Sequence, residues 1–226
     1  MTHPLDNIAW HALSGAQAHF AVGAGAVRRY APGFSPIVGF ADPRRPDFDA
    51  MAKWCEPAEQ FYSLLWTGSP PAGWQVHFEG SLLSMVWTAA AAPDDEAADA
   101  VRLDARHAAQ ALELARLTRP GPFGPRTIEL GEYFGFFEGQ RLVAMAGERM
   151  HAGPLREISG VCTHPDHQGR GLARRLMTRL IRRQVQRDET PFLHVMRDNL
   201  VARRLYERMG FAVYRESVVR VVSPAL

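Results

Sequence analysis

Gly169 and Gly171 lie between an apolar run ending in Val161-Cys162-Thr163 and an amphipathic, arginine-studded segment. Paired glycines at the mouth of a helix let a ligand approach the main chain without obstruction from Cβ atoms. The amides of a helix's first turn have no intrahelical acceptor, and the positive end of the helix dipole lies behind them. A strand, a glycine turn and a helix in this order bind the chain to an α/β arrangement. The order also forms a seat for an anion, above all a diphosphate.

A second block follows at Pro191–Phe211, PFLHVMRDNLVARRLYERMGF. Phe192, His194 and Met196 alternate with Leu193 and Val195, which predicts a strand. Asp198-Asn199 then opens a helix whose apolar positions Val201, Ala202, Leu205 and Met209 share one face, with Gly210 as its stop.

Together the two blocks resemble the acetyl-CoA-binding core of the GNAT superfamily of N-acetyltransferases. Gln168-Gly169-Arg170-Gly171-Leu172-Ala173 matches that family's Gln/Arg-x-x-Gly-x-Gly/Ala turn. Asn199, Tyr206 and Gly210-Phe211 sit in the register of its second motif. The resemblance implies acetyl transfer from acetyl-CoA, as acyl-donor cosubstrate, to a primary amine by direct attack. The amides of Val161, Cys162 and Thr163 would run beside the pantetheine arm, and the N–H near Val161 would polarise the thioester carbonyl. Gln168 to Ala173, with Arg174, would receive the diphosphate, and Asn199 would meet the pantetheine amides while capping its helix. Tyr206 matches the family's general acid. His194 stands where several members place a glutamate, so an imidazole is the candidate base, with Glu157 as its rival.

The same resemblance implies an α/β (α+β) fold, with a mixed, mostly antiparallel central sheet and flanking helices, over residues 97–226. A short strand at Ala100–Leu103, a helix capped by Asp104, a hairpin at Tyr133–Ala146 and a final pair of strands within Phe211–Val222 complete the order. Residues 1–96 read as a smaller α/β segment without a glycine phosphate loop. They contain a helix at Asp47–Trp54 and a hairpin of Trp74–Phe78 with Leu82–Trp87 across Glu79-Gly80. This segment looks similar to the degenerate, cofactor-free GNAT-like half of some acyltransferases, and a simple capping domain fits equally well. The Ala/Asp/Glu-rich stretch Ala89–Ala100 is taken as the boundary.

Charge is unevenly distributed. Residues 1–118 carry 8 basic and 13 acidic side chains, and the remainder carries 18 and 11. Seven arginines lie between Arg170 and Arg187. A polyanionic cofactor suits this asymmetry, although most of these arginines read as a solvated helix face. Acidity in the first half, without interleaved aromatics and basic residues, argues against nucleic acid. Apolar runs are too short to span a bilayer, and two distant cysteines form neither a disulfide framework nor a metal site. The partners expected are acetyl-CoA and an amine acceptor, with no membrane and no metal, in a cytoplasmic monomer or homodimer. Cys162 reads as a buried strand residue rather than a nucleophile, and His164 and His167 as a polar loop. The competing function is a non-catalytic acyl-CoA-binding module, since a scaffold can keep its ligand and lose its chemistry.

Overall fold

The computed structural model describes residues 3–225. The first part of the chain forms α1 (Ile8–Ser14), β1 (Ala21–Val22), β2 (Val27–Tyr30), β3 (Val38–Phe40), α2 (Phe48–Ala52), β4 (Phe61–Leu64) and β5 (Trp74–Trp87). Next come β6 (Val101–Arg102), α3 (Ala108–Thr118), β7 (Tyr133–Glu138), β8 (Arg141–Ala152) and β9 (Leu155–Thr163). The chain ends with α4 (Leu172–Gln186), β10 (Thr190–Met196), α5 (Leu200–Arg208) and β11 (Phe211–Pro224).

Strands β4 to β11 make one eight-stranded sheet in the order β4-β11-β5-β10-β9-β8-β7-β6. Its pairings are antiparallel except that of β10 with β9. The mixed, mostly antiparallel sheet with flanking helices is thus the expected fold class. A separate three-stranded sheet joins β1, β2 and β3. The boundary expected after residue 96 falls in the connection between β5 and β6, two strands of the same sheet. Residues on either side of it therefore share that sheet, with β5 wedged between β11 and β10.

The expected Trp74–Trp87 hairpin and the expected final pair of strands within Phe211–Val222 are each a single strand. Trp74–Trp87 runs unbroken through Glu79-Gly80, and Phe211–Pro224 pairs with it along its length, from Phe211 opposite Trp87 to Pro224 opposite Trp74. Glu79-Gly80 has the residues of a turn, but an antiparallel partner on each side of β5 satisfies more backbone groups than a fold-back would. The Tyr133–Ala146 hairpin forms as read, with Gly139 in the left-handed region at its turn.

Helix α4 packs Leu176, Met177, Leu180 and Ile181 into the main core with Phe134, Ala146, Ile158 and Leu193. Burying each such side chain is worth about 1.5–3 kcal/mol, which fixes α4 on the sheet. The opposite face is not simply solvated. Arg174, Arg175 and Arg179 pair with Glu96, Asp99 and Asp95 at 2.5, 2.5 and 3.1 Å. The acidic stretch that reads as a boundary is thus a strap lying along this helix. No helix among the described residues is long and apolar enough to cross a membrane.

Candidate active site

Strands β9 and β10 run side by side only at their beginnings, from Thr190 opposite Leu155 to Phe192 opposite Glu157. Beyond that point β10 stays with β5, His194 lying opposite Ser84, while β9 stays with β8. The β9 strand also carries an extra residue, because Cys162 faces Met145 but Ser159 faces Gly147. Gly160 absorbs this bulge at φ 62°, where a Cβ would lie 3.1 Å from the Tyr133 ring. The splay opens a cavity of about 730 Å³, lined by Ile158–Val161 of β9, His194–Met196 of β10, and Asn199, Ala202 and Tyr206 of or beside α5.

His194, Tyr206, Asn199 and Val161 therefore line one cavity. Asn199 caps α5 with Oδ1 accepting from the Ala202 N–H at 3.1 Å. Val201, placed on the apolar face by spacing, is instead 83% exposed, and Tyr206 takes the buried position. Tyr206 packs edge-on to Phe211. Burial, with the Cys162 thiol nearby, pushes its phenol up to about 12, so it is protonated at neutral pH.

Behind His194 stands a buried cluster. Glu157 is fully buried and accepts from Arg149 Nε at 2.9 Å and Nη2 at 2.7 Å. It also accepts from the Met150 amide at 3.2 Å. His194 Nδ1 lies 2.8 Å from Glu157 Oε1. Burial opposes the charge on Glu157, but Arg149 and the hydrogen bonds outweigh it and hold the carboxyl down at about 2. An ionised carboxylate only accepts, so Nδ1 is the donor and Nε2 carries the lone pair of the neutral ring. Glu157 itself, enclosed and with both oxygens engaged, is not available as a base to a substrate. This corrects its reading as the rival of His194, because strand alternation does not reveal that Arg149 lies across from it.

Arg149 has no place among the sequence-derived candidates. The available signal was Glu148-Arg149 within an otherwise apolar strand, since buried charges are paired. The N-terminal segment braces this cluster: Gln17 Nε2 donates to the Arg149 carbonyl at 2.6 Å, and the Tyr30 hydroxyl donates to Gln17 at 2.7 Å.

The glycine turn lies outside the cavity lining. Gly169 and Gly171 sit at φ 76° and 73°, and a Cβ at either would meet nothing within 4 Å. Among the described residues no side chain caps α4, and its first intrahelical bond runs from Arg175 N to Gly171 O. The amides of Leu172, Ala173 and Arg174 are therefore free of helical acceptors. Gln168 leads in with extended backbone. Arg170 is half-exposed, 3.7 Å from Glu138, whereas Arg174 is held by Glu96, turned to the acidic strap. Thr163 and Cys162 pair with Ala144 and Met145 on β8. Burial pushes the Cys162 thiol up to about 11, which keeps it from being a thiolate. His164 caps the turn at Asp166 and meets Arg141 at 2.6 Å. Among the described residues no three His, Cys, Asp or Glu side chains gather as a metal would need.

A family profile described as "FR47-like protein" matches residues 133–221. No curated protein matches the chain. Among solved structures, one from Novosphingobium aromaticivorans, assigned as a GNAT-family acetyltransferase, is 32% identical, covers 100% of both chains and superposes with a TM-score of 0.88. GCN5-related N-acetyltransferase structures from Kribbella flavida and, as an N-acetyltransferase-like protein, Streptococcus suis are 18% and 15% identical, with TM-scores of 0.57 and 0.58. They cover 97% and 95% of this chain and 97% and 92% of their own, a likeness of fold alone. With a relative 32% identical over the whole of both chains, and with a glycine turn opening α4 after β9, this chain belongs to the GNAT family of acetyltransferases.

Proposed function

We propose that the protein moves an acetyl group from acetyl-CoA to a primary amine by direct attack, with His194 as base, Tyr206 as general acid and Glu157 orienting His194. The observation that carries this reading is the meeting of the Glu157-held imidazole and the Tyr206 phenol at the cavity where β9 and β10 part.

Several features of the chain fit the cosubstrate. Among the described residues, no strand lies beside the edge of β9 past Glu157 on the β10 side, so its backbone groups are open to an amide-bearing arm. The uncapped α4 terminus, with open space beside Gly169 and Gly171, suits a diphosphate. Acetyl-CoA supplies a reactive thioester carbonyl and a thiolate leaving group.

Each remaining task falls to a residue of this chain. Neutral His194, with Nε2 unprotonated, accepts the proton that an ammonium must lose before its nitrogen can attack. Glu157 fixes that tautomer and stabilises the imidazolium that follows, while Arg149 keeps Glu157 ionised. An amide N–H at the Gly160–Val161 bulge donates to the carbonyl oxygen as it gains charge, an effect of order 100- to 1000-fold. Tyr206 donates to the departing sulfur. A free thiol titrates near about 8.5, below this phenol, so the proton stays on Tyr206 and its hydrogen bond to the departing thiolate is the main contribution; the second proton, shed by the nitrogen as the tetrahedral adduct collapses to the amide, leaves through solvent. Residues 1–96 contribute to the same unit, bracing Arg149 and walling the acceptor side.

The test is free-thiol release from acetyl-CoA across an amine panel, repeated with Tyr206→Phe. Turnover should fall about 100- to 10,000-fold in the variant with acetyl-CoA affinity kept. Unchanged turnover would remove Tyr206 from the chemistry, and tight cofactor binding without thiol release from any amine would make the protein a binding module.

A further inference from the structure

The cavity at the β9–β10 split extends away from Tyr206 along a wall built by strands β4, β11 and β5. Tyr62 on β4 lies opposite Val221 on β11, and Val221 lies opposite Phe78 on β5. Directly opposed residues share a sheet face, so these three form one apolar row across three strands. Leu64 and Val219 make the next row, and all five line the cavity. The row ends at Gly80, where a Cβ would lie 2.7 Å from the Phe78 ring and 2.8 Å from Met196 Cε. The missing side chain thus lets the Phe78 ring lie over the strand and close the wall. Phe78 is nevertheless 45% exposed, a large aromatic left uncovered at the cavity edge.

The charged groups facing this space are equally telling. Arg119 stands at the rim and Arg149 in the wall, with the imidazoles of His77 and His194, and no Asp or Glu is among the lining residues. Glu157, the nearest carboxylate described, is held in its bidentate pair with Arg149. The field in the cavity is therefore neutral to positive. A substrate with a second or third ammonium would have to surrender hydration there without any anion to receive it. A substrate with one reactive nitrogen and an apolar remainder meets that cost once only, at the nitrogen that His194 deprotonates, and covers the exposed row.

We infer that the acceptor is a monoamine carried on an apolar, ring-sized body, and that the Tyr62–Val221–Phe78 row is the surface that recognises that body. This deepens the acetyl-transfer reading of the cavity and rests on it for the word acceptor, while the recognition itself is a matter of binding.

The experiment therefore measures both. Phenethylamine and spermidine are titrated into the protein by calorimetry, and each is then offered with acetyl-CoA in the thiol-release assay. Phenethylamine should bind at least about 10-fold more tightly than spermidine, the scale expected for filling an apolar pocket. Tyr62→Ala should weaken phenethylamine by about 10-fold. Phe78→Glu, at a half-exposed position that tolerates a charge, should move the preference toward spermidine by about 10-fold. Equal or tighter spermidine binding, binding of neither amine, or a preference unmoved by Phe78→Glu would overturn the inference. Thiol release with spermidine alone would leave acetyl transfer standing and still overturn it. The expected binding pattern without thiol release would uphold the recognition surface and sink acetyl transfer instead.

Discussion

Replacing Glu157 by Gln tests the cluster on which His194 rests. Glu157 and Arg149 expose only 0% and 8% of their side chains and meet in a two-pronged ion pair. Gln keeps the shape and removes the charge. One of its two terminal groups is an NH₂, which must then face an N–H of Arg149 or of His194. Arg149 is left buried without a counter-ion. Breaking a buried pair from one side costs about 3–5 kcal/mol. For a chain of this size each kcal/mol moves Tm by about 2–4 °C, so Glu157→Gln should melt roughly 6–20 °C below the parent by scanning calorimetry at neutral pH. Removing both charges is a different matter, because no buried charge is then left without a counter-ion. Arg149→Met combined with Glu157→Gln should therefore recover much of the loss. A single variant melting within about 2 °C of the parent, or a double variant no better than the single, would refute the claim that this ion pair is closed to water and mutually dependent.

Gly171→Asp should keep the fold, since Asp tolerates φ near +73° better than most residues. It should weaken coenzyme A by about 100-fold or more in calorimetry by placing an anion at the diphosphate seat, and retained affinity would exclude that seat. Glu157 is held near 2 against an ordinary value of 4.5. Its contribution to stability is thus complete above pH 4.5 and is lost as pH falls from there toward 2. Urea midpoints should drop over that window, and midpoints as high at its bottom as at its top would contradict the assigned ionisation. Converting Asp95 and Asp99 to Asn and Glu96 to Gln should lower Tm by only a few degrees, because exposed pairs are worth about 0–1 kcal/mol each. The difference should shrink in 1 M salt, where the screening length is about 3 Å; a salt-independent loss would mean that the strap acts by packing rather than charge.

Local chemistry made part of this protein legible in its residues. The glycine turn before α4, the Asn199 cap and Tyr206 register of α5, and the Gly139 hairpin depend on neighbours a few positions apart. Backbone preferences and helical spacing are written at that range, and these elements lie where the sequence places them. The Asp104 cap before α3 is of the same kind, its side chain accepting from the Arg106 N–H at 3.0 Å.

Sheet order is written over much longer range, and only the tertiary structure decided it. Nothing near Glu79-Gly80 announces that β11, some 140 residues later, will lie along it and turn a hairpin motif into a straight strand. The same holds for the strap of residues 94–99, whose carboxylates find their partners on α4, and for Arg149, which becomes meaningful only when β8 and β9 bring it onto Glu157. A strand's hydrogen-bonding edges are alike in any sequence, so which edges join follows from burying all the apolar faces at once. That choice set His194 against a fixed carboxylate and gave the cavity an apolar wall drawn from the N-terminal strands β4 and β5 together with β11.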